Sequence, residues 1–198
     1  GWKALNRLLH EDRSFSGNER NCAFLNCRGT GFADISSASG FDFPDDSRAV
    51  TAVDWDFDGD LDLWMTARTA PRLRFLRNDL AANADWVAVK LSGNGETTNR
   101  DAVGARVQLY LKNQQVPLIR SVHAGDAFLS QSSGWLHFGL GPNASIEKLL
   151  VRWPGGTQES ISGIVPGERF LITQGVATAK PWSPPANRKS LTPLPPVF

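Results

Sequence analysis

The residues with the clearest chemical potential are aspartates spaced at short intervals within residues 54–62. Carboxylates crowded on one loop repel one another, and a hard divalent cation converts that repulsion into binding. Calcium takes about six to eight oxygen ligands from a flexible loop, whereas magnesium keeps several of its waters and binds few protein carboxylates. The sequence therefore predicts a Ca²⁺ site whose residues are Asp54, Asp56, Asp58, Asp60 and Asp62.

The loop also differs from an EF-hand, although it begins in the same way. An EF-hand needs a glutamate at its twelfth position, where this chain has Met65, and helices on both sides, where this chain has strand-like sequence. We expect Gly59 to make the turn, Asp60 to ligate through its backbone carbonyl, and Asp62 to close the ring. The alternative is a solvated acidic turn that holds no ion.

A catalytic site is the second kind of chemistry to consider, because two histidines could pair with nearby acids or a serine. The candidates are His123 and His137 with Asp101, Asp126 or Ser130. No serine lies in a G-x-S-x-G pattern, and His137 has the apolar neighbours of a strand residue, which favours a structural role. We therefore predict no catalytic residue, and the protein is not expected to be an enzyme.

Two cysteines, Cys22 and Cys27, complete the list of reactive side chains. No histidine lies at a zinc-like spacing from them, so a zinc site is excluded. Buried thiols, a local disulfide and an intermolecular disulfide all stay open.

The charge of the chain is unevenly distributed. Eight acids and one base lie within residues 40–62, a net charge of −7 in a chain whose total is +1. The basic remainder lacks an aromatic-interleaved basic stripe, so nucleic acid is not an expected partner. No apolar run reaches the about 18 residues of a membrane span. The chain opens with Gly1, so we expect that a leader was removed or that the sequence belongs to a longer chain.

The elements that must position the acidic loop are short strands. Apolar spacing predicts a helix over residues 2–12, and a glycine-containing turn predicts a hairpin over residues 23–35. Alternating apolar residues and regular turns predict a β-sandwich-like domain over residues 85–175, which we expect to fold without the acidic loop. The tail, residues 176–198, is proline-rich and should be extended. The fold class is therefore all-β, with segments 1–19, 20–78, 85–175 and 176–198.

The segment from Asn26 to Asp34, taken with the acidic loop, resembles an FG-GAP (integrin-type) β-propeller repeat covering residues 20–78. The resemblance implies a propeller-blade-like unit that holds calcium between two strands. It carries the ligand role to Asp54, Asp56, Asp58 and Asp62, with the carbonyl of Asp60. Cys27 departs from the family pattern, which has asparagine at that position.

Four further segments, in family order, are similar to an ASPIC/UnbV domain: residues 99–107, 128–133, 136–141 and 151–156. Cartilage acidic proteins and secreted bacterial proteins pair the two modules, and no general activity is established for the family. The resemblance implies an extracytoplasmic location, either periplasmic or secreted.

The chain contains a single acidic loop and therefore one repeat, whereas a propeller needs about four or more blades. The chain is not expected to form a propeller by itself. We therefore expect a non-catalytic, calcium-stabilised interaction or structural module, a subunit or C-terminal part of a larger assembly. Its partner would be another protein, a membrane complex included, or an upstream part of a longer chain. The alternatives are a carbohydrate-binding module that uses exposed tryptophans and an accessory protein of an enzyme or biosynthetic system.

Overall fold

The computed structural model describes residues 1–10, 19–27, 29–68, 70–79, 85–112 and 114–186. The described chain is almost entirely β, as predicted, and none of its helices is long and apolar enough to cross a membrane. Its elements, in chain order, are α1 (Trp2–His10), β1 (Phe24–Asn26), β2 (Phe32–Asp34), β3 (Ser47–Val53), β4 (Asp62–Ala67), β5 (Leu73–Leu76), β6 (Asp85–Ser92), β7 (Arg106–Leu111), β8 (Leu118–Ser121), β9 (Leu136–Gly141), β10 (Ile146–Arg152), β11 (Gln158–Ile161), β12 (Arg169–Thr173) and β13 (Lys180–Trp182).

The chain divides into two compact units. The first unit comprises Gly1–Thr51, Trp64–Leu76 and Ala127–Ser130, and the second comprises Ala52–Leu63, Arg77–Asp126 and Gln131–Phe198. The first contains helix α1, which matches the predicted helix as far as His10; residues 11 and 12 lie outside the described chain.

The remaining elements of the first unit are a hairpin and part of a sheet. Strands β1 and β2 pair as the antiparallel hairpin predicted for residues 23–35. Strands β3, β4 and β5 form a three-stranded sheet in that order, although the ends of β3 and β4 nearest the acidic loop belong to the second unit. The described residues form no closed propeller, and the FG-GAP resemblance stays a prediction.

Arginines neutralise the acids of the first unit. Asp46 is 3% exposed and makes ion pairs with Arg48 and Arg68, both at 2.7 Å. Asp45, also buried at 7% exposed, pairs with Arg74. Because burying an unpaired carboxylate is costly, these pairs explain how part of the acidic segment 40–62 is tolerated.

The second unit contains two four-stranded sheets, in the orders β11-β10-β7-β8 and β13-β12-β6-β9. Most neighbours are antiparallel, but the central strands β6 and β12 pair in parallel, with Ala88 opposite Arg169 and Ser92 opposite Thr173. Strand β9 covers the other side of β6 and places His137 opposite Ala88. One face of β6 thus carries Ala88 between two polar side chains.

The core of the second unit lies between the inner faces of these sheets, as expected for a sandwich. Alternate residues of each strand point inward, as the sequence pattern predicted, and Trp153 is 1% exposed. The central members of this core are Val87, Val89, Val107, Leu109, Phe138, Leu149, Val151, Phe170 and Ile172.

The second sheet continues beyond the predicted domain boundary at residue 175. Strand β13 pairs with β12, with Trp182 opposite Arg169, and Ala179 is buried in the same core. Residues 176–182 therefore add an edge strand to the β domain. Residues 187–198, the rest of the predicted tail, lie outside the described chain.

Candidate metal centre

The acidic loop, residues 54–62, connects β3 to β4 and packs on the outer face of the sheet that contains β6. Trp86 and Ala88 are two positions apart on β6, so both side chains point away from the core. The register places His137 and Arg169 beside Ala88 on the two neighbouring strands. A small residue flanked by larger ones leaves a recess in this face, and the loop lies against the sheet beside it.

Gly59 is the point of closest approach between the loop and the sheet. A Cβ atom at this position would lie 2.0 Å from the indole Nε1 of Trp86, and the backbone φ is +106°. The carbonyl oxygen of Gly59 accepts a 2.8 Å hydrogen bond from Nε2 of His137. Only glycine satisfies both the space and the backbone angle, so its role goes beyond the predicted turn.

His137 is partly buried, and its burial outweighs the hydrogen bond to the Gly59 carbonyl, which by itself raises the pKa of the ring. Its ring stacks on Trp86 with centroids 5.8 Å apart, and burial lowers the pKa of the imidazole. Nε2 of His137 faces the Gly59 carbonyl oxygen, which can only accept a hydrogen bond. In the neutral ring the proton therefore lies on Nε2.

Arg169 provides the positive charge closest to the start of the loop. It is 7% exposed, and its Nη2 forms an ion pair with the Oδ2 of Asp54. The guanidinium also lies 4.5 Å from the ring centre of Trp86 and 5.2 Å from that of Phe57. Aromatic faces attract a cation, so these rings hold the arginine in line with Asp54.

Three carboxylates of the loop converge on one point. Ligand oxygens of Asp54, Asp56 and Asp58 all lie within 4.8 Å of one another, with Asp58 the exposed member. At that separation a pair of charges repels by about 3 kcal/mol for an effective dielectric constant of about 20. These three residues are those that the sequence placed at alternating ligand positions.

Asp62 has a different environment from the other acids of the loop. It is 1% exposed, and its two oxygens accept backbone amide hydrogens, from Trp55 at 3.0 Å and from Asn78 at 2.9 Å. The Asp62 carboxylate therefore closes the loop by accepting the backbone amide of Trp55, the second residue of the loop. This contact does not depend on whether Asp62 also binds an ion.

Asp60 lies deeper than the sequence suggested. Its amide donates to Oδ1 of Asp58 at 3.1 Å, while its own Oδ1 is buried and makes no hydrogen bond within the described chain. Burial, followed by repulsion from the neighbouring carboxylates, raises the pKa of Asp60 to about 7. Burial also raises the pKa of Asp54, against the opposing effect of Arg169, and that of Asp62.

The donor set fits a hard cation. Oδ1 of Asp54 is, like that of Asp60, buried without a hydrogen-bond partner in the described chain. Leaving such groups unsatisfied is costly, and an ion at the point where the carboxylates converge would satisfy them. The residues in place to hold it are Asp54, Asp56 and Asp58, with Asp60 next to them.

The structure does not assemble the catalytic group considered above from the described residues. His137 binds the Gly59 carbonyl, and Ser130 donates to the carbonyl of Val50 at 2.8 Å. Asp126 accepts the amide of Ser132 at 2.8 Å. Cys22 and Cys27 are free thiols.

Sequence reasoning missed the partners of the loop, namely Trp86, His137 and Arg169. One signal was present for Arg169, since a charged residue begins an otherwise apolar strand. A charge at such a position must find a partner, but the sequence does not say which acid provides it.

Comparison with known proteins supports the assignment of the β domain. Residues 95–179 match the family model for ASPIC and UnbV, and all four segments that resembled this family lie inside the match. No curated protein matches the chain. A solved structure of a putative cell adhesion protein from Bacteroides uniformis is 16% identical, with 85% of this chain and 90% of that chain covered, at a TM-score of 0.25. A likeness that weak supports no inference about this chain.

Proposed function

From an ASPIC/UnbV domain with an acidic loop packed on its sheet, we propose a non-catalytic interaction module stabilised by calcium. The observation that carries this proposal is the convergence of Asp54, Asp56 and Asp58 within 4.8 Å, on a loop whose backbone is fixed to the β domain. A preorganised set of carboxylates loses little entropy when it binds an ion.

The ion would stabilise the β domain as well as the loop. The loop belongs to the same compact unit as both sheets of the sandwich. Ligation that favours the folded state lowers its free energy by mass action, by about 2.7 kcal/mol at a ligand concentration one hundred times the dissociation constant.

An extracytoplasmic location is part of the proposal. Extracellular calcium modules bind with dissociation constants of about 10⁻⁴–10⁻³ M, which suits a short loop that keeps one carboxylate exposed. The sequence resemblance to modules of secreted proteins points the same way.

A protein partner is supported by the first unit. Phe24, Leu25 and Phe32 of the β1–β2 hairpin are 60%, 55% and 72% exposed. A two-stranded hairpin is marginally stable in water, and apolar side chains clustered at a surface often mark an interaction site. We propose that the module works within a larger assembly.

Calcium titration of the metal-free protein tests the central claim. We expect calcium to raise the melting temperature and to be detected by calorimetry, and terbium luminescence to be sensitised by the neighbouring Trp55. Asp58→Asn should abolish these effects, because it removes an exposed ligand without disturbing a buried pair.

The matched control is Asp101→Asn, an exposed aspartate outside the loop. It should bind calcium as the wild type does. A metal-free protein whose melting temperature does not respond to calcium would refute the proposed function.

A further inference from the structure

A cavity of about 490 Å³ opens beside the acidic loop, within the second unit. Ligand sites in proteins have volumes of about 300–1,000 Å³, so this one is large enough for a binding site. Its aromatic and apolar walls come from the loop and from the segment before β9: Trp55, Phe57, Leu61 and Trp135. Trp55 is 42% exposed and Leu61 is 37% exposed, so these walls are open to a ligand.

The two positively ionisable side chains of the cavity already have partners. Arg169 pairs with Asp54, and Nε2 of His137 donates to the Gly59 carbonyl. A ligand therefore meets mainly flat aromatic surface. Proline-rich segments in the polyproline II conformation bind aromatic-lined grooves, and they lose little entropy in doing so. The chemistry of the walls thus suits a proline-rich chain.

The segment that follows β13 leaves the β domain at the same place. The ring of Trp182, the last residue of β13, lies 5.0 Å from the Trp135 ring and 5.7 Å from the Phe57 ring. Residues 187–198 follow and contain the P-x-x-P sequence Pro193-Leu194-Pro195-Pro196.

The distances allow this segment to return to the cavity. Ala186 is four residue steps beyond Trp182, a span of at most about 14 Å. Twelve residues in polyproline II extend about 37 Å, more than is needed to come back to Trp182.

The charges are complementary as well. Arg188 and Lys189 precede the P-x-x-P sequence, and no acid follows Glu168. The loop beside the cavity contains five aspartates, of which Asp54 is paired with Arg169.

We propose that the aromatic cavity is a binding site for proline-rich chain, and that residues 187–198 of the same molecule occupy it through Pro193–Pro196. A protein partner that uses these aromatic walls must therefore compete with the tail. The inference goes beyond the proposed calcium binding, because the aromatic and apolar walls, Trp55, Phe57, Leu61 and Trp135, contain no carboxylate, although the candidate ligand Asp54 also lines the cavity.

Indole N–H signals of the full-length chain test the proposal. The seven tryptophans give seven signals in a ¹H–¹⁵N spectrum, and loss of a signal in Trp55→Phe or Trp135→Phe assigns the two cavity residues. We expect the double substitution Leu194→Asp/Pro196→Asp to move both signals, because it removes the segment from the rings. Ser190→Asp, in the same tail but outside the P-x-x-P sequence, should leave them in place, and the signal of Trp2 should not move in either variant.

A second measurement supplies the tail as a separate peptide. A separate peptide binds more weakly than a segment of the same chain, so it is added at high concentration. A synthetic peptide of residues 187–198, added at millimolar concentration to the double variant, should return both signals toward their wild-type positions. Signals of Trp55 and Trp135 that are the same in the wild type and the double variant would overturn the proposal. So would a wild-type position that changes on tenfold dilution, since it would assign the cavity to the tail of a second copy.

Discussion

Replacing Gly59 with alanine tests the packing of the loop on the sheet more directly than any other single change. The added methyl group would lie 2.0 Å from Nε1 and 2.2 Å from Cε2 of the Trp86 ring. An L-residue at positive φ costs about 1–2 kcal/mol, and overpacking costs about 1–3 kcal/mol. We expect Gly59→Ala to lower the free energy of unfolding by about 2–5 kcal/mol, to break the His137 hydrogen bond and to weaken calcium binding.

Urea unfolding of four variants separates the two contributions. Gly95→Ala is the matched control, because Gly95 has φ +79° and nothing within 4 Å of the position of a Cβ atom. It should lose only the backbone part, about 1–2 kcal/mol. Adding Trp86→Ala to Gly59→Ala should cost less than the sum of the single changes, since the clash disappears with the ring. A Gly59→Ala variant no less stable than Gly95→Ala would refute the close packing.

Three further predictions concern the acids of the loop and Arg169. The pKa of Asp60 is about 7 in the folded protein and ordinarily 3.8, so the metal-free protein should lose stability relative to Asp60→Asn as the pH rises from about 4 to above 7; urea midpoints that keep the same difference across this range would contradict it. Arg169→Met should cost about 3–5 kcal/mol in metal-free protein, because it leaves Asp54 buried without its cation, and about half as much or less in an Asp54→Asn background; equal costs in chemical denaturation of both backgrounds would exclude the pairing. Asp62→Asn should cost about 1.5–3 kcal/mol with or without calcium, since Asp62 accepts two backbone amides, whereas the effect of Asp58→Asn on thermal melting should require calcium; a cost of Asp62→Asn that vanishes in chelator would assign Asp62 to the ion alone.

The local features of the loop could be predicted from the sequence because short-range pattern determines them. Asp54, Asp56 and Asp58 are spaced two residues apart, and their oxygens lie within 4.8 Å of one another, as that spacing predicted. Likewise, the alternation in β7 correctly placed Val107 and Leu109 in the core. Both inferences depend only on residues that are neighbours in the chain.

The long-range features could not be predicted in the same way. That Arg169 pairs with Asp54 depends on the parallel register of β6 and β12, which no local pattern encodes. Trp135 directly precedes β9 and Trp153 directly follows β10, yet Trp153 is buried and Trp135 lines a cavity. The difference arises from which face of which sheet the loop covers.

Asp45 and Asp46 also have ion-pair partners that the local sequence pattern could not predict. Both belong to the acidic segment 40–62, and they are neutralised by Arg48 of β3, by Arg74 of β5 and by Arg68, which follows β4. Among the described residues, Oδ1 of Asp54 and Oδ1 of Asp60, both inside the loop, are buried carboxylate oxygens without a hydrogen-bond partner.

The parallel pairing of β6 with β12 has a consequence for biosynthesis. Ala88 must wait for Arg169 to be synthesised, which at about 5–20 residues per second takes about 4–16 s. Until then, one edge of β6 has no neighbouring strand and the acidic loop has no buried arginine, so the nascent chain exposes both an open strand edge and uncompensated negative charge. Partial products that end before β12 should therefore be sensitive to proteases and prone to aggregation. The earlier strands lose this sensitivity only after β12 has been synthesised and has paired with β6.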